Sequence, residues 1–356
     1  MVTLVGKQWK KDEILRRVGH LHQIAGVRLL ELQDGIERGV RIADVRTGSG
    51  LRFQVSIDRG MDISLAEYKG VSLAWRSAAG DVHPAFYDPE GIEWLRSFPG
   101  GLMTTCGMSQ AGAPCTDEGK KLGLHGRVSN IPAHEFGSSD EWQENECTIR
   151  VTGAVRESTI FGENLLLRRQ IECKLGSSIV SVTDRVKNEA FKESPLMMLY
   201  HMNLGWPLVD EESKLLLNAR RSDARDDVAG EGIENARAFS SPVKGYREQV
   251  YFHELQSDGK GFSAALLFNQ RLALAFFVRF RQKELTRFTE WKMMGEGTYV
   301  VGLEPANCLT RGRSEERKNG TLEFLKPGEE REFYLQFGIL ECPDSINHFI
   351  QMNGLS

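Results

Sequence analysis

Leu51-Arg52-Phe53-Gln54-Val55-Ser56-Ile57-Asp58-Arg59-Gly60 sets the pattern of this chain. Leu51, Phe53, Val55 and Ile57 alternate with Arg52, Gln54 and Ser56. That period of two turns one row of side chains to a core and the next toward water, and the run stops at a turn. The alternation returns at Cys147-Ile149-Val151 before Gly153. Leu165 to Leu175 runs into Gly176, and Ile179 to Val186 follows at once, which predicts antiparallel hairpins. Leu266 to Phe280, Thr298 to Leu303, Thr321 to Leu325 and Arg331 to Leu340 continue it, with turns at Asp258-Gly259 and Pro327-Gly328. Asn319-Gly320 reads as a tight hairpin turn of type I′. Helical periodicity is confined to Lys11 to Arg17 and Pro89 to Ser97. Many short strands with almost no intervening helices predict an all-β fold, a large antiparallel β-sandwich.

The chain has 356 residues. Large sandwiches exceed the usual domain length, so one domain over residues 1–356 is expected. Hydrophobic residues make up 40% and charged residues 26%, enough for a sizeable core. With 45 basic and 49 acidic residues the net charge is −4, and the signs are mixed. The densest runs, Ala219 to Asp227 and Arg311 to Lys318, alternate in sign and read as solvated loops, so no nucleic-acid partner is expected. The six cysteines contain no CxxC pair, which argues against a thiolate zinc site. No apolar leader and no run of eighteen apolar residues is found, so neither membrane insertion nor secretion is expected, and the cytoplasm is the predicted compartment. Dinucleotide, P-loop, nucleophile-elbow and H-E-x-x-H motifs are absent.

Three segments break the strand pattern. Gly100 to Asn130 is too rich in glycine for a helix and too long for an ordinary connection, and it carries Leu124-His125-Gly126-Arg127. Tyr200-His201-Met202-Asn203 ends an apolar run, with His201 and Asn203 on one side of a strand. In Gly302-Leu303-Glu304-Pro305, the proline holds the carboxylate-bearing residue extended. Each has a purely structural reading as core histidine, edge charge or Gly-rich turn. Their joint occurrence at strand-to-loop transitions favours an acid/base set in one cleft.

At these residues the sequence resembles the aldose 1-epimerase-like proteins of the galactose mutarotase superfamily, and within them a bacterial branch catalogued as a domain of unknown function. The resemblance spans almost the whole chain. Its marks are Asp58-Arg59-Gly60-Met61-Asp62-Ile63, Gly100-Gly101-Leu102 with Thr105-Cys106-Gly107, Leu124-His125-Gly126-Arg127, Tyr200-His201-Met202-Asn203 and Gly302-Leu303-Glu304-Pro305-Ala306-Asn307. It implies a galactose mutarotase-like β-supersandwich and an isomerase that interconverts sugar anomers. His201 matches the histidine that protonates the ring oxygen, Glu304 the base at the C1 hydroxyl, and His125 the second histidine. The family's arginine and aspartate contacts to sugar hydroxyls have no clear counterparts. Arg127, Asn203, Arg59 and Asp62 are candidates, with Trp291, Lys292 and Glu290 for the opposite wall.

Such an enzyme needs no cofactor, and its partner is a small carbohydrate; a monomer or homodimer would serve. Two other readings use the same residues. His83, His125, His201 and Glu304 could form a divalent-metal set for a lyase or hydrolase acting on an oxidised sugar or glycoside. The scaffold could also serve as a non-catalytic carbohydrate-binding protein.

Overall fold

In the computed structural model, which describes residues 1–356, every ladder between named strands is antiparallel. Leu51–Ser56 forms as the alternation predicts, with Leu51, Phe53 and Val55 buried and Arg52 and Gln54 half-buried. It lies in a five-stranded sheet made of Gly26–Glu31, Arg41–Arg46, Leu51–Ser56, Asp62–Tyr68 and Val71–Ser72. An eight-stranded sheet runs, in spatial order, through His134–Gln143, Glu146–Ser158, Asn164–Lys174, Ile179–Asn188, Glu330–Leu340, Leu274–Arg281, Phe262–Asn269 and Ser213–Leu217. A seven-stranded sheet has the order Ala219–Ala224, Gln249–Leu255, Arg287–Gly295, Thr298–Ala306, Ser194–Gly205, Glu323–Leu325, and Thr104–Met108 also pairs with Ser194–Gly205. The largest apolar cluster, 62 buried residues from Val2 to Ile339, draws on all three sheets, so they close on a shared interior. The fold is an all-β sandwich of large antiparallel sheets.

Several local expectations are corrected. The run Leu266 to Phe280 is two strands, Phe262–Asn269 and Leu274–Arg281, joined by a turn in which Leu272 N–H donates to Asn269 Oδ1. It reads as one apolar stretch because the helix Pro343–Asn353 covers the outer face, with Ile346 and Phe349 packed against Leu266 and Phe277. Asn319-Gly320 is no hairpin turn. Asn319 has φ −82 and caps the helix Arg313–Lys318, and Gly320, with φ 69, takes the left-handed position that ends it. That helix replaces the loop expected for Arg311 to Lys318. Around residue 90 only the 3-10 segment Glu93–Ser97 forms, because Gly91 at φ 50 interrupts any helix starting at Pro89. Near the N-terminus the helix is Lys11–Leu15. The segment 100–130 is ordered into Thr104–Met108, the hairpin Cys115–Asp117/Lys120–Leu122 and a 3-10 turn at Val128–Asn130. No helix is long and apolar enough to cross a membrane.

Candidate active site

Ser194–Gly205 is buried along its whole length except Pro195 and has neighbours on both sides. Met197 to His201 pair with Met108 to Thr104, and Leu199 and Met202 to Gly205 pair with Ala306 and Leu303 to Val300. A strand gripped in this way presents His201 at a fixed position. Glu304 comes from Thr298–Ala306, directly opposite Thr289, while Gly302 faces Trp291. Because side chains alternate, Thr289, Trp291, Gly302 and Glu304 share one face of the sheet.

That face floors a cavity of about 260 Å³. Its polar lining is His125, His201, Arg225, Glu248, Thr289, Glu304 and Thr310, and its walls include Ile92, Trp94, Phe98, Leu124 and Trp291. His201 Nε2 lies 3.1 Å from Glu304 Oε1. Gly302 makes this approach feasible: a Cβ there would stand 2.8 Å from Glu304 Oε1 and 3.1 Å from His201 Cε1. The ring of His201 is set edge-on against Trp291 at 5.3 Å, Phe98 at 5.4 Å and His125 at 5.7 Å. His125 sits at φ 57 on a loop pinned by His125 N–H to Gly112 O, 2.9 Å, and Gly107 N–H to His125 O, 3.1 Å. Gly112 N–H points at His125 Nδ1, 3.4 Å, which assigns that nitrogen as acceptor and leaves the ring proton on Nε2. Gly126, at φ 74, completes the turn where a Cβ would meet Gln110 O at 2.2 Å.

Burial dominates the electrostatics. It pushes Glu304 well above the usual carboxylate range, with Glu248 adding to the rise and Arg225 opposing it. His201 is held well below the ordinary imidazole value by burial and by His125, and burial takes His125 down to about 4. Near neutral pH the His201–Glu304 pair is therefore uncharged as a whole and carries a single proton. Four buried atoms on the lining have no partner in the protein: His201 Nδ1, Glu304 Oε2, Thr289 Oγ1 and Thr310 Oγ1. A buried polar atom left unpaired costs roughly 1–3 kcal/mol. Four of them belong to residues that line one cavity, so its walls hold unused hydrogen-bonding capacity.

His125, His201, Glu304 and Trp291 thus meet at the cavity. The other residues marked in the sequence stand elsewhere. Arg59 is buried and donates to Val82 O at 2.5 Å and Ser97 O at 2.6 Å, which locks two loops together. Asp62, raised to about 6 by burial, accepts from Thr105 Oγ1 at 2.6 Å and Arg169 Nη1 at 3.1 Å. Asn203 donates to the carbonyls of Gly100, Gly101 and His201 and steadies the glycine turn. Lys292 is spent on the carbonyls of Asn235, Ala236 and Ala238, and Glu290 faces His253 at 2.9 Å. Arg127 is exposed and lines a separate cavity with Tyr87, Lys121 and Glu157. His83 caps the 3-10 turn Pro84–Phe86 by accepting from Ala85 N–H, outside the site. The four-residue metal set is therefore not assembled, and no cluster of three or more His, Cys, Asp or Glu side chains is placed to hold an ion.

Reading the sequence missed Arg225, Glu248, Thr289 and Thr310. Thr289 had one available signal, since a strand pairing with the Glu304 strand must set some residue opposite the carboxylate. Arg225 was hidden inside an alternating charge run that looks like any solvated loop.

Comparison with known proteins bears on the fold and the family. None of the curated proteins matches the sequence. Among solved structures, a Klebsiella pneumoniae protein provisionally named an aldose 1-epimerase is similar at 26% identity and a TM-score of 0.88, covering 92% of this chain and 86% of that one. A galactose mutarotase-like protein from Clostridium acetobutylicum shares 12% identity over 90% of this chain and 100% of its own, with a TM-score of 0.61. The galactose 1-epimerase of Lactobacillus acidophilus shares 12% identity over 89% of this chain and 99% of its own, with a TM-score of 0.58. These last two likenesses establish a galactose mutarotase-like fold. Residues 37–339 match the family model described as a domain of unknown function, DUF4432, and the chain belongs to that family.

Proposed function

We propose that the protein is an isomerase of the aldose 1-epimerase type, which opens and recloses the cyclic hemiacetal of a small sugar through His201 and Glu304. The observation that carries this reading is the 3.1 Å contact between His201 Nε2 and Glu304 Oε1 on the cavity floor. Mutarotation removes a proton from the C1 hydroxyl and delivers one to the ring oxygen, so the site's proton count is unchanged after opening. A neighbouring imidazole and carboxyl that hold one proton between them satisfy that balance. Burial leaves the resting pair as neutral imidazole and carboxylic acid. Passage of that proton from Glu304 to His201 across their contact gives the reactive form, in which His201 donates to the ring oxygen as Glu304 takes the C1 proton. The product pair, neutral imidazole and carboxylic acid, is the form that burial favours. Rotation about C1–C2 then exposes the other face of the aldehyde, and the same two groups return the protons in reverse. His125, neutral and carrying its proton on Nε2, is a donor that can polarise the ring oxygen. The aromatic wall of Trp94, Phe98 and Trp291 suits the apolar face of a sugar and limits water.

The test is anomer exchange measured by NMR across a panel of monosaccharides. Accelerated exchange that is lost in Glu304→Gln supports the proposal. An intact protein that accelerates no sugar, or a Glu304→Gln variant that retains full activity, overturns it. Binding without turnover would instead favour a carbohydrate-binding role.

A further inference from the structure

The cavity mouth carries charge that the proton-transfer pair does not use. Arg225 follows the edge strand Ala219–Ala224, and Glu248 precedes Gln249–Leu255. Arg225 Nη2 donates to Glu248 Oε1 at 2.9 Å, and its Nε donates to Asp226 Oδ2 at 2.8 Å. The other oxygen of Glu248 accepts from the Trp291 indole N–H at 3.0 Å. Arg225 is the one lysine or arginine on the lining, and two carboxylates already bracket it. An anionic group entering here meets no unpaired cation and approaches the Glu248 carboxylate. A hydroxyl meets the spare lone pairs of the half-exposed Glu248 carboxylate and can donate to it.

We infer that Glu248, clamped between Arg225 and Trp291, is the specificity-determining residue of this pocket and turns away sugars bearing a carboxylate or phosphate in favour of uncharged monosaccharides. This rests on the isomerase reading above. It works as discrimination by repulsion: the charge that would bind an anion is occupied, and a like charge is set beside it. Glu248 is also a positioning residue, because its bond to the indole fixes the ring that lies edge-on to His201. The Glu248 side chain is 49% exposed, so water and salt weaken its repulsion and the discrimination shrinks as ionic strength rises.

Glu304 is faced by His201, His125, Glu248, Arg225, Cys106 and Cys308. Of the two charged groups at the mouth, Glu248 strengthens its hold on a proton and Arg225 weakens it. Glu248→Gln and Arg225→Gln should therefore move the alkaline limb of the pH–rate profile in opposite directions, down and up respectively. A merely structural disturbance would have no reason to separate them.

The experiment measures anomer exchange by NMR for glucose, galactose and xylose against glucuronate and glucose 6-phosphate, using the full chain. Wild type should favour the neutral sugars by about tenfold or more, the effect of roughly 1.4 kcal/mol. Glu248→Gln should cut that preference by a similar factor, and added salt should reduce it in wild type without any substitution. Equal or better turnover of the anionic sugars by wild type overturns the inference while leaving the isomerase reading standing. So does a folded Glu248→Gln variant with an unchanged preference. Failure with every sugar removes the isomerase reading, and this inference with it.

Discussion

Glu304 and His201 set the expectations at the scale of single residues. Replacing Glu304 by Gln keeps the shape of the side chain and removes the ability to take a proton. Loss of about 10²–10⁴-fold in the rate of anomer exchange is expected, with a melting temperature close to wild type. His201→Asn should cost a similar factor, and the double variant little more, because the two groups act as one unit and their losses do not add. The pH profile follows from the same pair. Activity needs one proton shared between them. Acid adds a second proton to His201, whose value lies well below the usual imidazole range, and alkali removes the last one from Glu304, whose value lies well above the usual carboxylate range. The profile should thus be a broad plateau across neutral pH, with both limbs belonging to the pair rather than to either residue. A sharp optimum near the ordinary imidazole value would contradict the assignment. His201 and Glu304 stood out in the sequence as polar groups in apolar strand runs, although both lie within their strands rather than at the expected strand-to-loop transitions, and His125 stood out in a glycine-rich segment. Arg225, Glu248 and Thr310 were not, because loop residues gain their meaning only from a three-dimensional neighbour.

At the scale of strands, Thr298–Ala306 and Ser194–Gly205 hold the site, and Gly302 leaves the space that Glu304 and His201 occupy. A methyl group there would press on Glu304 Oε1, His201 Cε1 and the Trp291 Cβ together. Gly302→Ala should therefore lower the rate of exchange by at least about tenfold, since a misplacement of about 1 Å is enough to cost that much. Overpacking should also cost about 1–3 kcal/mol of stability, and urea denaturation alongside the kinetics measures both. Full activity would mean that the observed contact is not needed for turnover. Strand periodicity made these elements legible, since Leu51, Phe53 and Val55 face the core as their spacing demands. It failed where both faces of a strand are covered. Between Leu266 and Phe280 nothing in the apolar pattern separates one long strand from two, because the C-terminal helix buries the face that would otherwise be polar. Arg59, Asp62 and Lys292 misled for a related reason: a charged residue beside a motif can be holding backbone carbonyls or another buried charge.

The three sheets meet at Arg169, and the stability of the whole molecule should be sensitive to that point. Arg169 belongs to the eight-stranded sheet and is fully buried. It donates to Asp184 Oδ1 at 2.9 Å and Oδ2 at 2.6 Å in that same sheet, to Asp62 Oδ1 at 3.1 Å in the five-stranded sheet, and to Thr105 Oγ1 at 2.8 Å beside the central strand. Tyr200, the neighbour of His201, donates its hydroxyl to Asp184 Oδ2 at 2.7 Å, so the network reaches from the sheet junction to the strand that carries the site. Removing the guanidinium leaves two carboxylates in the interior without their cation. Arg169→Met should cost about 3–5 kcal/mol in unfolding free energy, far more than any exposed ion pair of the same sheet. The sign of the pH dependence follows from Asp62, which burial already raises to about 6 in the folded state. A carboxyl with a raised folded value favours folding at low pH and loses that contribution as pH rises through it. Without Arg169 that rise is larger, so the variant's deficit against wild type should be greatest at alkaline pH and should shrink toward about pH 5. Urea denaturation of both proteins across that range measures it. A deficit independent of pH would show that Arg169 acts by filling space rather than by balancing charge.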